Sequence, residues 1–344
     1  MTTSVAGSGR SRRSRLRPPR WAVVGVAALA VTNLVACGGR DSAPAAYPDR
    51  EITFVVPYSA GGPTDTVTRL IAEPMGTKLG QQIVVKNVTG AGGTVASGQV
   101  AEAKPDGYEV LIHNIARSTA PALYPDLPYE PLVDFKTIGL ITDVPMTIVA
   151  RKDLPPTTLE ELVAYVKSNA DTLTLAHAGG GSQLCGLLIE QAIGVELTEV
   201  PYDGTGPALT DLVGGQVDFM CDQTTNTAGQ IRSGAIKAYA VTTPERVGAL
   251  PDLPTTAEAG LPEVQVAVWH GLYVPAKTSD EVVAKLTDAL QVALVDPNVI
   301  DKLADLGTTP VAKDQVTPDA HRIKLTEQIE LWTPIIKGAG VKGG

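Results

Sequence analysis

Residues 55–65 read "VVPYSAGGPTD": an apolar run, a glycine pair, a proline and then a helical pattern. Gly61 and Gly62 lack Cβ atoms, so a ligand can approach the backbone there. Pro63 suits the first turn of a helix, and Thr64 or Asp65 can cap it. The free amides and positive dipole end of such a helix form an anion site. A plain tight turn is the alternative for either glycine-rich stretch taken alone. The second stretch, "TLTLAHAGGGSQLCG" from Thr172 to Gly186, repeats the order strand, glycines, serine, helix. Facing each other, the two loops would form a cleft between two helix N-termini, suited to a small carboxylate.

Other chemistries fit poorly. No Gly-Lys-Ser/Thr follows either loop, "GAGGTV" lacks the last glycine of a dinucleotide fingerprint, and "GGSQL" is not a nucleophile elbow. His113, His177, His270 and His321 stand apart without zinc spacing, which predicts no metal and no cofactor. His113 and His177 end strands aimed at the cleft, as polar lining, as structural groups or, alternatively, as catalysts. Cys185 could be a nucleophile at a helix start. A disulfide with Cys221 explains both cysteines, two free thiols being the alternative. "NVT" at Asn87 matches the common glycosylation acceptor pattern.

These loops need strands to end them and helices to follow. Runs rich in Val and Ile at 52–58, 82–87 and 108–114, each trailed by helical periodicity or a small-residue loop, predict βαβ units on a parallel sheet. A second set follows: a capping box at Thr158 and Glu161, strands at 172–178, 197–202, 217–222 and 236–242, and helices between them. The segments 137–150 and 263–276 are long enough to cross between two lobes, and helices near 279–295, 297–306 and 318–336 close the chain. The organisation predicted is a signal segment 1–36, a tether 37–47, a first lobe 48–144, a second lobe 145–266 and a return to the first lobe at 267–344.

The N-terminal segment stands apart. Six arginines lie in residues 10–20, an apolar stretch of signal-peptide length follows, and "LVAC" ends in Cys37 as a lipoprotein-type cleavage and lipidation site. Arg12 and Arg13 leave twin-arginine and ordinary secretory export both open. Loss of those six arginines from a total of 28 basic residues leaves 22 against 37 acidic ones, net −15, which argues against nucleic acid and acidic membrane surfaces as partners. An anionic ligand must then be caught by local dipoles.

The segments "YPDREITFVVPYSAGGPTD", "QIVVKNVTGAGGTVASGQVAEAKPDGY", "PALYPDLPYEPLVDF", "AGGGSQ", "EVPYDGTGPALTDLVGGQVDFM", "SGAIKAYAVTTPER", "LPTTAEAGLPEV" and "WHGLYVPA" resemble, in order, the tripartite tricarboxylate transporter substrate-binding proteins, or Bug family. The resemblance implies an α/β, two-lobed type II periplasmic-binding-protein fold with the ligand cleft between lobes. It implies ligand contacts at Tyr58, Ser59, Ala60, Gly61, Gly62, Thr64 and Asp65, at Gly180, Gly181, Ser182 and Gln183, and at Tyr202 and Asp222. The loop "HNIARSTAP" departs from many relatives and adds Asn114, Arg117 and Ser118. Arg117 there either meets a distal ligand carboxylate or faces solvent. Gln223 replaces the asparagine of a common Asp-Asn pair. The expected protein is a monomeric, lipid-anchored receptor outside the cytoplasm that hands a small organic acid to transporter membrane subunits. A receptor for a signalling system, and a small-molecule enzyme using His113, His177 or Asp222, are the alternatives.

Overall fold

Buried β-branched runs become strands, and the capped amphipathic runs between them become helices. A computed structural model describes residues 47–343. The signal segment, Cys37 and all of the tether except Tyr47 lie outside the described residues. The first strands are β1 (Ile52–Val56), β2 (Ile83–Asn87) and β3 (Glu109–Asn114), with α1 (Pro63–Leu79) and α2 (Thr94–Ala101) between them and α3 (Ala116–Leu123) after β3. Strand β4 (Phe135–Arg151) is long, and α4 (Leu159–Asn169) opens on the expected capping box between Thr158 and Glu161. Then come β5 (Thr174–His177), α5 (Gly180–Ile193), β6 (Thr198–Pro201), α6 (Thr205–Val213), β7 (Phe219–Gln223), α7 (Thr224–Arg232) and β8 (Ile236–Val241). The chain ends with β9 (Ala267–Pro275), α8 (Asp280–Ala293), α9 (Pro297–Asp305) and α10 (Pro318–Ala339).

The strands join in the order β2-β1-β3-β9-β4-β7-β5-β6, with β8 on β4. Pairing is parallel within β2-β1-β3 and within β7-β5-β6, and antiparallel around β9 and β4. Strand β4 serves both halves of the sheet. Residues Phe135 to Pro145 pair with β9, and from Met146 onward the same strand pairs with β7 and β8. Parallel strands with helices on their faces put every loop that follows a strand at one edge, where ligands bind in open α/β sheets.

Alternation along β1 builds two cores at once. Ile52, Phe54 and Val56 face Val67, Ile71 and Met75 of α1 together with Leu286 and Leu290 of α8, while Val55 joins Leu111 and Ile115 on the other face. The far half has its own layer, in which Val149, Ala176 and Met220 pack on Leu209 and Leu212 of α6. Among the described residues no helix is long and apolar enough to cross a membrane.

Cys185 on α5 and Cys221 on β7 are bonded, with Cα atoms 6.0 Å apart and a sequence separation of 36. The bond fastens α5 to the strand beside the one it follows. A closed loop of that length removes unfolded-state entropy worth about 4 kcal/mol in the chain-entropy account. The Cys185→Ser, Cys221→Ser protein should therefore melt well below the parent in urea, and the unreduced, denatured parent should show no reactive thiol at either position. Equal midpoints, or two reactive thiols, would refute the bridge.

Candidate functional site

The loop after β1 turns on Gly61, whose φ of +79° a side chain would strain, and α1 begins at Pro63 without any side-chain cap. Three loop amides are already used. Ser59 N–H donates to the Asp203 carbonyl at 3.2 Å, Gly61 N–H to the Asp65 carboxylate at 2.9 Å and Gly62 N–H to the Ser59 carbonyl at 3.4 Å. Arg69 and Asn87 also donate to Asp65, and Asn87 holds the Tyr58 carbonyl at 2.9 Å. Burial would raise the Asp65 pKa, but donation from Arg69, the Gly61 amide and Asn87 outweighs it and holds the carboxyl below its usual range. The amides of Thr64 and Asp65 find no acceptor among the described residues.

The loop after β5 repeats the device with tighter geometry. Gly179 and Gly180 have φ of +66° and +50°, and α5 starts at Gly180. Ser182 clips the loop: its hydroxyl accepts from Ala178 N–H at 2.8 Å and donates to the Gly179 carbonyl at 3.0 Å. The amides of Gly180, Gly181 and Ser182 have no acceptor among the described residues. Side chains are excluded by packing as well, since a Cβ on Gly181 would sit 2.4 Å from Val268 Cγ2 and one on Gly180 would sit 2.5 Å from Ala116 Cβ.

Polar side chains complete the cleft. Asn114, at the end of β3, accepts from Tyr58 at 3.2 Å and from Ala116 N–H at 3.0 Å, and donates to Thr64 Oγ1 at 3.2 Å. His270 Nε2 lies 3.2 Å from the same Thr64 oxygen, and burial lowers the imidazole pKa to about 3, so it is neutral at pH 7. Asp222 is buried at the end of β7 and is held by Gln223 N–H at 2.8 Å and by the Asn226 and Thr205 side chains. Burial raises its pKa to about 6 despite those donors.

Tyr58, Gly62, Pro63, Thr64, Asn114, Ala178, Gly179, Gly181, Ser182, Thr205, Asp222 and Gln223 enclose an inner cavity of about 20 Å³, and none of them is Lys, Arg or His. A chamber of about 320 Å³ adjoins it across Ala178 and Gly179, lined also by Tyr124, His177, Gln183 and Tyr202. The two halves of the sheet meet here by backbone. A Cβ on Gly204 would stand 2.9 Å from Ser59 N, and one on Gly206 would stand 3.4 Å from Gly62 N.

The structure brings together most of the residues singled out from sequence but moves several off the ligand surface. Ser59, Ala60 and Gly61 do not line the inner cavity, and Gln183 and Tyr202 belong to the outer chamber, where Tyr202 donates to Asp211 at 2.7 Å. The Asp65 side chain braces its own loop and is 3% exposed, so only its amide is left for a ligand. Arg117 is neither a ligand contact nor solvent-facing, which corrects both alternatives for it. The stretch read as a loop is helix α3, whose turn points Arg117 into the core with the guanidinium carbon 3.8 Å from the Phe135 ring centre and 4.5 Å from that of Tyr273. Ser118 is likewise turned away and donates to the Ile115 carbonyl at 2.6 Å. His113 lies buried under the loop before α2, accepts from Asn114 N–H at 2.9 Å, and burial lowers its pKa to about 3. Sequence reasoning missed the brace at Asn87, which it read only as a glycosylation pattern, and the contributions of Thr205 and Asn226. The glycines on either side of Thr205, in "DGTGP", were the available signal for a third loop of this kind. Among the described residues no group of three His, Cys, Asp or Glu is placed to hold a metal.

Backbone donors at two helix starts suit the binding of an anion. The family described as "Tripartite tricarboxylate transporter family receptor" matches residues 67–341. The periplasmic binding protein BugD is 49% identical, with TM-score 0.84 over 86% of this chain and 99% of that one. MatC from Rhodopseudomonas palustris, solved with malate, is 43% identical with TM-score 0.82 over 84% and 100% of the two chains. A second R. palustris protein, solved with adipate, is 32% identical with TM-score 0.81 over 86% and 99%. The α/β fold is thus that of two-lobed periplasmic binding proteins.

Three outcomes follow from this geometry. Gly204→Val should weaken ligand binding by about tenfold or more, because the new side chain would push Ser59 and the first loop aside; unchanged affinity would contradict the contact. Arg117→Ala should cost about 3 kcal/mol of stability with affinity intact, whereas lost affinity at full stability would return it to the site. Asp222 holds its proton in the folded state up to pH about 6, against about 4 when unfolded. Rising pH in that window therefore favours unfolding. The melting temperature of the ligand-free parent, measured against Asp222→Asn, should fall from pH 4 to pH 6 and level off above; a flat difference would contradict the burial.

Proposed function

Because the chain belongs to the tripartite tricarboxylate transporter receptor family, we propose that it captures a small organic carboxylate outside the cytoplasm and delivers it to the membrane subunits of a tripartite transporter. The observation that carries this reading is the convergence of free amides from α1 and α5 on a cavity with no basic side chain. An overall field set by an acidic chain repels anions, so short-range dipoles must supply the attraction. Malate and adipate, held by two relatives, bracket the class of ligand.

Residues 48–144 and 267–344 form one lobe and 145–266 the other, with β4 and β9 as the crossing strands. The change of β4 partner at Pro145 and Met146 supports that division. Ligand contacts to both lobes favour the closed form, joined by the Ser59 to Asp203 bond. The protein acts as a monomer, tethered to the membrane by a lipidated Cys37, and performs no chemistry on its cargo.

A thermal-shift series against small carboxylates, amino acids and neutral metabolites tests the central point. A native-state ligand at a hundredfold excess over its Kd stabilises by about 2.7 kcal/mol, so one class of acid should raise the melting temperature clearly. No shift with any acid would overturn the proposal. For the anchor, Cys37→Ser should move the protein from the membrane pellet to the soluble fraction, and an unchanged distribution would remove the lipid from the account.

A further inference from the structure

The segment that follows α10 reaches the wall of the outer chamber. Helix α10 stops at Gly340, whose φ of +69° turns the backbone off the helix axis. Val341 then packs, half-buried, against the hydrophobic core. Gly343 N–H donates to the Leu123 carbonyl at 3.0 Å, satisfying one of the carbonyls that the last turn of α3 leaves open. The residue after Leu123 is Tyr124, and Gly343 lies so close to its ring that any Cβ there would collide with it. The same ring meets Gly92, where a Cβ would stand 2.6 Å from the tyrosine oxygen. Tyr124 and Gly92 both line the outer chamber of about 320 Å³. One aromatic wall of that chamber therefore rests on a glycine of the C-terminal tail.

We propose that the tail at residues 341–343 is a strap that seats Tyr124, and that Tyr124 so held limits the length of acid the chamber accepts. The inference rests on the carboxylate-capture reading above and concerns its selectivity for ligand length. The inner cavity of about 20 Å³ admits about one water-sized group, so the carbon chain of a bound acid lies in the chamber. Tyr124 N–H closes α3 on the Ala120 carbonyl at 2.9 Å, but the residue itself is extended, with φ of −122° and ψ of 95°. Its side chain thus leaves the helix and takes its direction from what packs on it. With the strap gone, the Leu123 carbonyl loses its donor and the ring loses the backbone against it, so the wall yields to additional methylenes. Tyr124 is then a specificity-determining residue, and the tail acts through it as a positioning element.

Calorimetric titration of the purified protein with succinate and with adipate tests the proposal. Removal of residues 342–344 should raise the affinity for adipate relative to succinate by about fivefold or more, since one methylene in a fitted pocket is worth about 10–200-fold. Gly343→Pro, which lacks the amide that meets Leu123, should shift the ratio in the same direction and serves if the shortened chain does not fold. Tyr124→Ala should reproduce the shift, and removing 342–344 in that background should add less than about twofold, because the strap acts through the ring. A tail that only stabilised the fold would lower the melting temperature or weaken both acids equally. An unchanged or falling ratio in the tail variants, or a shift that persists in Tyr124→Ala, would overturn the inference. Binding of neither acid would overturn it as well, while the wider thermal-shift series decides separately whether carboxylate capture stands.

Discussion

Two halves of one sheet can close on each other over bare backbone only where nothing larger than hydrogen projects from the touching loops. That constraint governs the rest of the molecule. Gly180, Gly181, Gly204 and Gly206 are the points of approach, and each faces a partner that a side chain would displace or crowd. Because the loops meet through backbone, the groups left to receive a ligand are main-chain amides at helix starts. Their direction is set by the strands that precede them and by packing beneath, not by flexible side chains. Such donors are preorganised, so little ordering entropy opposes binding.

Charge is placed accordingly. Rather than line the cleft with cations, the chain uses two of its charged groups as braces. Asp65 is held by Gly61, Arg69 and Asn87 and keeps the first loop in shape. Arg117 stacks among Phe135, Tyr273 and Tyr129 below the cleft, where its planar guanidinium fills a core position that an ammonium would fill poorly. The carboxylate in the cleft wall, Asp222, is buried with its own donors.

The strands, their order in sequence and the helix starts were largely legible from pattern, because burial imposes a period of two on strands and caps mark helix ends. The Thr158 to Glu161 capping box and the two glycine loops are local statements and were readable as such. Helix α3 was not, since Pro121 inside it mimics a loop signal and its cap comes from Asn114 across a turn. The role of Asn87 was hidden for a different reason: its partners Asp65 and Tyr58 lie on the neighbouring strand's loop.

By itself, then, the sequence determined the alternation of elements, the places where backbone would be laid bare, and the charge balance that rules out bulk attraction of an anion. Those properties depend on residue type and spacing within a few turns of chain. Only the tertiary structure decided which way a side chain turns at a loop that is really a helix. It also decided which amides are spent within the protein. Orientation and satisfaction are relations between segments far apart in sequence: Ser59 meets Asp203, and Thr64 meets Asn114 and His270. No local pattern encodes such pairs, because what selects them is the packing of the whole sheet.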